Sequence, residues 1–382
     1  MIRAAEAAAV VLAAGFSQRM GRFKPLLPLG DRPMIEWSLD LFAGCGLAEI
    51  HVVVGHRREE LMPLLAARSV SVVVNHDFEQ GMFSSVKVGI RSLSQDCRAF
   101  FVLPADIPLV RPATIRRLLV DFDPPRIRIA VPCFAGRTGH PPLVSRDLTP
   151  AILRAEEAGG LRAALSRWAA NTINVPVPDH GILNDADRQE DYEALQAVWR
   201  RRQIPDPEEC NAILASRGLE ADPIARHGRQ VARVAEILTS TLKMAGIGLD
   251  ADLIRAAAQV HDLAKGSPDH ARIGAERLQA LGFPAVAEIV ACHHEITIDP
   301  QRPISAAEVV YLADKRVAGD RVVGLEERFA AALARYGAVE EARRNIQHRR
   351  DQAFAVQARI EAAMGQSVDS LLEKARQGEK NK

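Results

Sequence analysis

The 382-residue sequence predicts two parts, an α/β domain built on a mostly parallel sheet and a separate all-α domain. Three observations lead there. Short β-branched runs alternate with helical periodicity through the first half, which is the pattern of βα units covered by helices on both faces. A polar, proline-broken stretch follows Trp199, with Arg200-Arg201-Arg202 and then Ile204-Pro205-Asp206-Pro207. From residue 208 to about 372 only alanine- and leucine-rich helical periodicity continues, broken at Gly246, Gly282-Phe283-Pro284 and Asp299-Pro300, with no strand pattern.

In chain order, residues 10–14, 50–54, 70–74, 99–103 and 128–132 read as strands, because each is a short and nearly continuous apolar run. Residues 33–42, 57–67, 82–93 and 112–122 read as the helices between them. In such a sheet, ligands sit at the carboxyl ends of the strands. The expected domains are therefore 1–202 and 207–373, followed by a polar tail, 374–382, that frays toward its end.

Composition narrows the function. Lys plus Arg (49) nearly balance Asp plus Glu (48), so no global positive field draws the chain to nucleic acid or anionic lipid. No segment reaches the ~20 apolar residues of a membrane span. The five cysteines lie far apart with no C-x-x-C pair, which argues against a disulfide framework and a thiolate zinc site and fits a reducing cytoplasm. Residues 7–14 imitate a signal-peptide core, but the run is short and Glu6 abuts it. Small molecules and other proteins are the expected partners.

The first strand runs into Leu12-Ala13-Ala14-Gly15-Phe16-Ser17-Gln18-Arg19-Met20-Gly21-Arg22-Phe23-Lys24. Small residues let backbone N–H groups approach phosphate oxygens, and Arg19 and Lys24 add cations suited to a triphosphate. It is neither a G-x-x-x-x-G-K-[ST] loop nor a G-x-G-x-x-G loop. Gly15 alone would suggest only a turn. The whole pattern, however, resembles the L-A-A-G-x-S-x-R-M-G-x-x-K signature of the MobA-like nucleotidyltransferases over about residues 8–198. Ala14 at the third motif position resembles the molybdenum cofactor cytidylyltransferase branch, where the guanylyl branch usually has glycine.

Further matches follow in family order: Asn75, Gly81-Met82-Phe83-Ser84-Ser85, Pro104-Ala105-Asp106-Ile107-Pro108 and Gly139-His140-Pro141. The resemblance implies a Rossmann-like fold in which Ala13, Ala14, Gly15, Arg19, Lys24, Asn75, Gly81, Ser85 and Asp106 handle the nucleotide. Asp106, just past a strand end, would hold Mg²⁺. A second carboxylate comes from Asp185-Ala186-Asp187-Arg188-Gln189-Glu190-Asp191-Tyr192, which resembles D-x-D-T-P-E-D-Y but has Arg188-Gln189 where Thr-Pro is common. Asp187 is the preferred ligand and Asp185 the reserve. His140 would stand on the acceptor side. Ser85 is equally readable as a helix cap.

The helical half contains His227, His261-Asp262, His270, His293-His294 and Asp314. Imidazoles with carboxylates suit Mn²⁺, Fe²⁺ or another divalent metal that could activate water toward a phosphate. A His-Asp pair alone means little, since His76-Asp77 has the same dipeptide in a loop. Together with His227 upstream, His261-Asp262-Leu263-Ala264-Lys265, and Leu312-Ala313-Asp314-Lys315 downstream, it resembles the HD-superfamily phosphohydrolases over about residues 208–330. That resemblance implies that His227, His261, Asp262 and Asp314 bind one metal and that His270, His293 and His294 serve a second metal or face the phosphate. It also implies that Lys265 faces substrate. His270 could instead be a helix cap, and one of His293 and His294 could point away.

The expected reaction is transfer of CMP from CTP, or another nucleotide from its NTP, to a molybdopterin-type cofactor with release of pyrophosphate. A metal-dependent phosphohydrolase accompanies it, and a molybdoenzyme or its chaperone would be the protein partner. Two alternatives stay open: a sugar or polyol phosphate acceptor, and a cofactor-delivery chaperone with a sensing helical module.

Overall fold

The computed structural model describes residues 1–16, 19–124, 126–219 and 223–380, with backbone alone for 378–380. It divides into two compact units, Met1–Arg202 and Gln203–Lys382.

The first unit is built on strands β1 (Ala7–Ala13), β2 (Glu49–Val54), β3 (Ser71–Val74), β4 (Ala99–Pro104), β5 (Ile129–Phe134), β6 (Arg137–Thr138), β7 (Leu143–Ser145) and β8 (Thr172–Pro176). They form one eight-stranded sheet in the order β8-β5-β7-β4-β1-β2-β3, with β6 paired to β5. Val10 of β1 lies opposite His51 of β2 and Val102 of β4, both in parallel register. Only β6 and β7 run antiparallel to their neighbours. Helices α1 (Met34–Gly44), α2 (Arg58–Ala66), α3 (Met82–Arg91), α4 (Pro112–Asp121), α5 (Thr149–Arg154), α6 (Gly160–Leu165) and α7 (Gln189–Arg200) connect and cover it.

Every residue of β1 is buried, which is why its sequence is apolar without alternation. Ala8, Val10 and Leu12 face Phe83, Val86 and Ile90 of α3, while on another strand Phe101 of β4 meets the Phe42 ring of α1 at 5.7 Å. The strands expected from sequence all form. β6, β7 and β8 are not legible in the sequence for a physical reason: strands of two and three residues carry no alternation, and Thr172–Pro176 mixes polar residues at the sheet edge and ends in proline.

The second unit contains α8 (Pro207–Ala215), α9 (Pro223–Met244), α10 (Ala251–Val260), α11 (His270–Leu281), α12 (Pro284–Ala291), α13 (Ala306–Lys315), α14 (Leu325–Tyr336), α15 (Glu340–Met364) and α16 (Val368–Lys380) around one apolar core. Its start is chemically defined: Asp206 accepts from Glu209 N, Glu209 accepts from Asp206 N, and Pro207 opens the helix. Two corrections apply. A small hairpin, Val317–Ala318 with Arg321–Val322, interrupts the helices, because two-residue strands leave no periodic signal. The α16 helix also runs through residues 374–380, which composition alone presents as tail.

Candidate functional sites

In the first unit, parallel strands β1, β2 and β4 end together, so residues 14–16, 19–24, 55–57 and 105–107 emerge along one edge of the sheet. The register is pinned by Ala105 N donating to Leu12 O (3.0 Å) and His56 N to Ala14 O (3.2 Å). Ala13 and Ala14 are buried, whereas a Cβ added at Gly15 would meet nothing within 4 Å, so the backbone there is approachable. Ser17 and Gln18 of the loop lie outside the described residues.

Lys24 is the centre of the charged set. Its Nζ lies 2.9 Å from Asp106 Oδ2 and 2.7 Å from Asp187 Oδ1, and Arg19 Nη1 donates to Asp187 Oδ2 at 2.6 Å. Burial works against the Lys24 charge, but the two carboxylates outweigh it and raise the pKa. The hydrogen bond from Lys24 holds Asp187 below the usual carboxylate range. Asp187 arrives from far along the chain because Ala186 N donates to Asp106 O (3.1 Å) and buried Ala186 joins Tyr192 and Leu195 of α7 against Met20, Leu27 and Leu29. Asp185 is raised by burial and by the carboxylates beside it.

A cation already sits between two carboxylates here, in the form of the Lys24 ammonium, so the donor set suits a hard divalent ion. His140 follows Gly139, where a Cβ would come within 2.4 Å of Ile182 O, and His140 N donates to that same oxygen at 2.9 Å. Burial lowers the His140 pKa against the pull of Asp106 and Asp185, and among the described residues its buried Nδ1 has no hydrogen-bond partner. Asn75 and Ser85 are buried and bonded to each other: Asn75 Nδ2 donates to Ser84 Oγ (2.9 Å) and Ser85 Oγ (3.0 Å). These bonds hold the start of α3, where Gly81 adopts φ +104°, a conformation that favours glycine.

The second unit brings four histidines and two aspartates together. His227 Nε2 lies 3.1 Å from Asp314 Oδ1, and His261 Nε2 lies 3.5 Å from the same oxygen. Asp262 faces both ways. Its Oδ2 is 3.8 Å from His227 Nε2 and 3.6 Å from His261 Nε2, while its Oδ1 is 3.6 Å from His270 Nε2 and 3.7 Å from His293 Nε2. Two ligand groups result, His227-His261-Asp262 and Asp262-His270-His293, sharing one carboxylate.

The tautomers are set from behind. Nδ1 of His227 faces Gly319 O at 2.8 Å, Nδ1 of His261 faces Ala258 O at 2.8 Å, and Nδ1 of His293 faces Val290 O at 2.6 Å. A carbonyl can only accept, so each Nδ1 carries a proton and each Nε2 is the ring atom turned toward the carboxylates, the one a metal would take. Among the described residues, Nε2 of His261 and of His293 is buried without a hydrogen-bond partner. Unpartnered imidazole nitrogens converging on a carboxylate fit a divalent metal. Burial opposes the charge on Asp262, yet the histidines around it hold its pKa far down.

Not every expected residue joins these groups. His294 belongs to neither: its Nε2 takes a hydrogen bond from Arg349 Nη1 at 2.8 Å, and burial with that cation nearby pushes its pKa down to about 4. Lys265 donates to Asp262 Oδ2 and is half exposed. Three contributors escaped sequence reasoning. Lys315 Nζ, buried, donates to Asp314 Oδ2 (2.6 Å) and His293 O (3.1 Å), and its adjacency to Asp314 was the available signal. Gly228 lets α9 and α10 touch, since a Cβ there would lie 2.2 Å from Gln259 O. Arg349 comes from α15 with no motif around it.

Comparison with known proteins defines the class. Residues 9–172 match the family described as MobA-like NTP transferase domain, and residues 224–319 match the HD domain. The first unit therefore carries a MobA-like NTP transferase domain, a nucleotidyltransferase family, and the second carries an HD domain. The CMP-5'-(3-aminopropyl)phosphonate synthase of Streptomyces rubellomurinus is 32% identical over 221 residues, covering 55% of this chain but only 32% of that protein. Nicotine blue oxidoreductase of Paenarthrobacter nicotinovorans is 28% identical over 200 residues, 50% of this chain and 94% of that protein. The molybdenum cofactor cytidylyltransferase of Escherichia coli K12 is 26% identical over 186 residues, 48% of this chain and 92% of that protein. Among the described residues no helix is long and apolar enough to cross a membrane.

Proposed function

We propose that the first unit transfers CMP from CTP to a phosphate oxygen of a molybdopterin-type cofactor, and that the second is a metal-dependent phosphohydrolase. The observation that carries the first reading is the Lys24 ammonium held between Asp106 and Asp187 at the carboxyl edge of the sheet. Two of the relatives are named for cytidylyl chemistry, which favours CTP. An acceptor phosphate oxygen attacks the α-phosphorus, the bond to the bridging oxygen of the β-phosphate breaks, and pyrophosphate departs.

In this reading Lys24 turns from the carboxylates to the triphosphate, with Arg19 beside it, and both offset the charge that accumulates as pyrophosphate separates. Mg²⁺ bound by Asp106 and Asp187 would supply further charge neutralisation on the phosphates. The backbone of Ala13, Ala14 and Gly15 lies against the nucleotide. Asn75 and Ser85 act by holding Gly81 and the start of α3, and His140 faces the acceptor. In the second unit, Mn²⁺ or Fe²⁺ held by His227, His261, Asp262, Asp314, His270 and His293 would activate water toward a phosphate.

Pyrophosphate release tests the transfer: purified protein with Mg²⁺, each NTP in turn and molybdopterin should release it fastest with CTP. Faster release with a sugar phosphate would redirect the acceptor. A second reading, an oxidoreductase, is favoured by the 94% coverage of nicotine blue oxidoreductase. It requires an electron donor to be consumed with no NTP present, which separates the two.

A further inference from the structure

Helix α15 lies beyond the residues that match the HD domain, yet it sends a guanidinium to the edge of the histidine cluster. Arg349 is placed by two contacts of its neighbourhood. Tyr311 Oη donates to Arg349 O (3.2 Å), and Gln352 Nε2, one turn on, donates to Ile296 O (2.7 Å), so α15 is tied to the segment that carries His293 and His294. The Arg349 side chain is only partly buried, and among the described residues it pairs with no carboxylate. Its protein partner is the imidazole of His294.

That pairing has a chemical consequence. A guanidinium can only donate, so His294 Nε2 is the acceptor and the neutral ring carries its proton on Nδ1. The His294 ring centroid lies 5.2 Å from that of His270, which faces Asp262. The result is an N–H of His294 and the remaining N–H groups of Arg349, donors of net positive charge, one ring away from the shared carboxylate. Lys315 cannot serve the same purpose, because it is buried and committed to Asp314 and the His293 carbonyl. Such a donor set wants an anion with several oxygens in fork geometry, which a phosphoryl group offers.

We propose that Arg349 and His294 form a phosphoryl-anion subsite of the second unit, taking the terminal phosphate of a phosphomonoester beside the Asp262-His270-His293 group. This rests on reading that unit as a metal-dependent phosphohydrolase. The hydrogen bond that Arg349 donates to His294 is what aims the guanidinium, so Arg349→Lys keeps the charge and loses the fork.

The test uses the full chain loaded with Mn²⁺ and titrated calorimetrically with inorganic phosphate, phenyl phosphate and diphenyl phosphate, with bound metal measured in parallel. The first unit is the same in every variant and contributes equally. Arg349→Met should weaken phosphate and phenyl phosphate binding by about tenfold or more, Arg349→Lys should fall between, and diphenyl phosphate should change least. Metal content and the thermal transition should match the parent; if Arg349→Met is unfolded, Arg349→Lys carries the comparison. Unchanged phosphate affinity in the variants, an equal loss for the diester, or no phosphate binding by the parent overturns the proposal. Absence of bound metal with phosphate binding still dependent on Arg349 would sink the metal reading and leave the subsite standing.

Discussion

Lys24 lies 2.9 Å from Asp106 and 2.7 Å from Asp187, so its ammonium offsets both carboxylates. In the proposed transfer it is the cation that would leave them for an incoming triphosphate. Asp106→Ala should reduce nucleotidyl transfer by about 10²-fold or more, as loss of a charge-stabilising group at the reacting phosphate does. The fold should survive, because Lys24 keeps Asp187 as partner; pyrophosphate release and a thermal melt on the same sample check both. Lys24→Ala should weaken triphosphate binding and turnover together. At the second site, His261→Ala with Asp262→Ala removes one nitrogen with no partner and the carboxylate common to both ligand groups. Bound Mn²⁺ should disappear from that variant, read by metal analysis after dialysis, and retention of the full complement would refute the assigned ligands.

Elements bring these residues together, and there the sequence is only partly legible. The βα alternation and the apolar β1 run could be read because fully buried parallel strands need no alternation. The short antiparallel β7 could not, since three residues cannot display a period. The loop motif exposes Lys24, the 104–108 segment Asp106 and the 185–192 segment Asp187, but their meeting depends on α7 docking through Ala186, Tyr192 and Leu195, a tertiary fact. The same holds for Gly228, which looks like a weak point inside a helical pattern and is in fact the contact between α9 and α10. Gly228→Ala should force its Cβ into the Gln259 carbonyl, costing about 1–3 kcal/mol and parting His227 from His261. Lower denaturation midpoint and weakened Mn²⁺ binding are expected together; a variant with parental values of both would contradict the close crossing. Asn75→Ala should leave Ser84 and Ser85 with a lost buried donor and cost about 1–3 kcal/mol, measured by urea unfolding.

At the scale of the whole molecule, each unit has a core of its own and a charged set of its own. Residues 1–202 expressed alone should be soluble and transfer nucleotide, and a chelator added to Mn²⁺-loaded protein without Mg²⁺ or nucleotide should lower the melting transition of residues 203–382, because a ligand bound to the native state stabilises the unit that holds it. An insoluble 1–202 fragment would contradict the separateness of the units. The proposed nucleotidyl transfer can be followed with α-phosphate-labelled CTP. With Mg²⁺ and molybdopterin, label should pass to the cofactor in step with pyrophosphate, faster than from GTP, and should not pass in the Asp106→Ala protein. Label that stays in CTP while the cofactor is present, or that transfers equally well without Asp106, would rule out the proposed transfer.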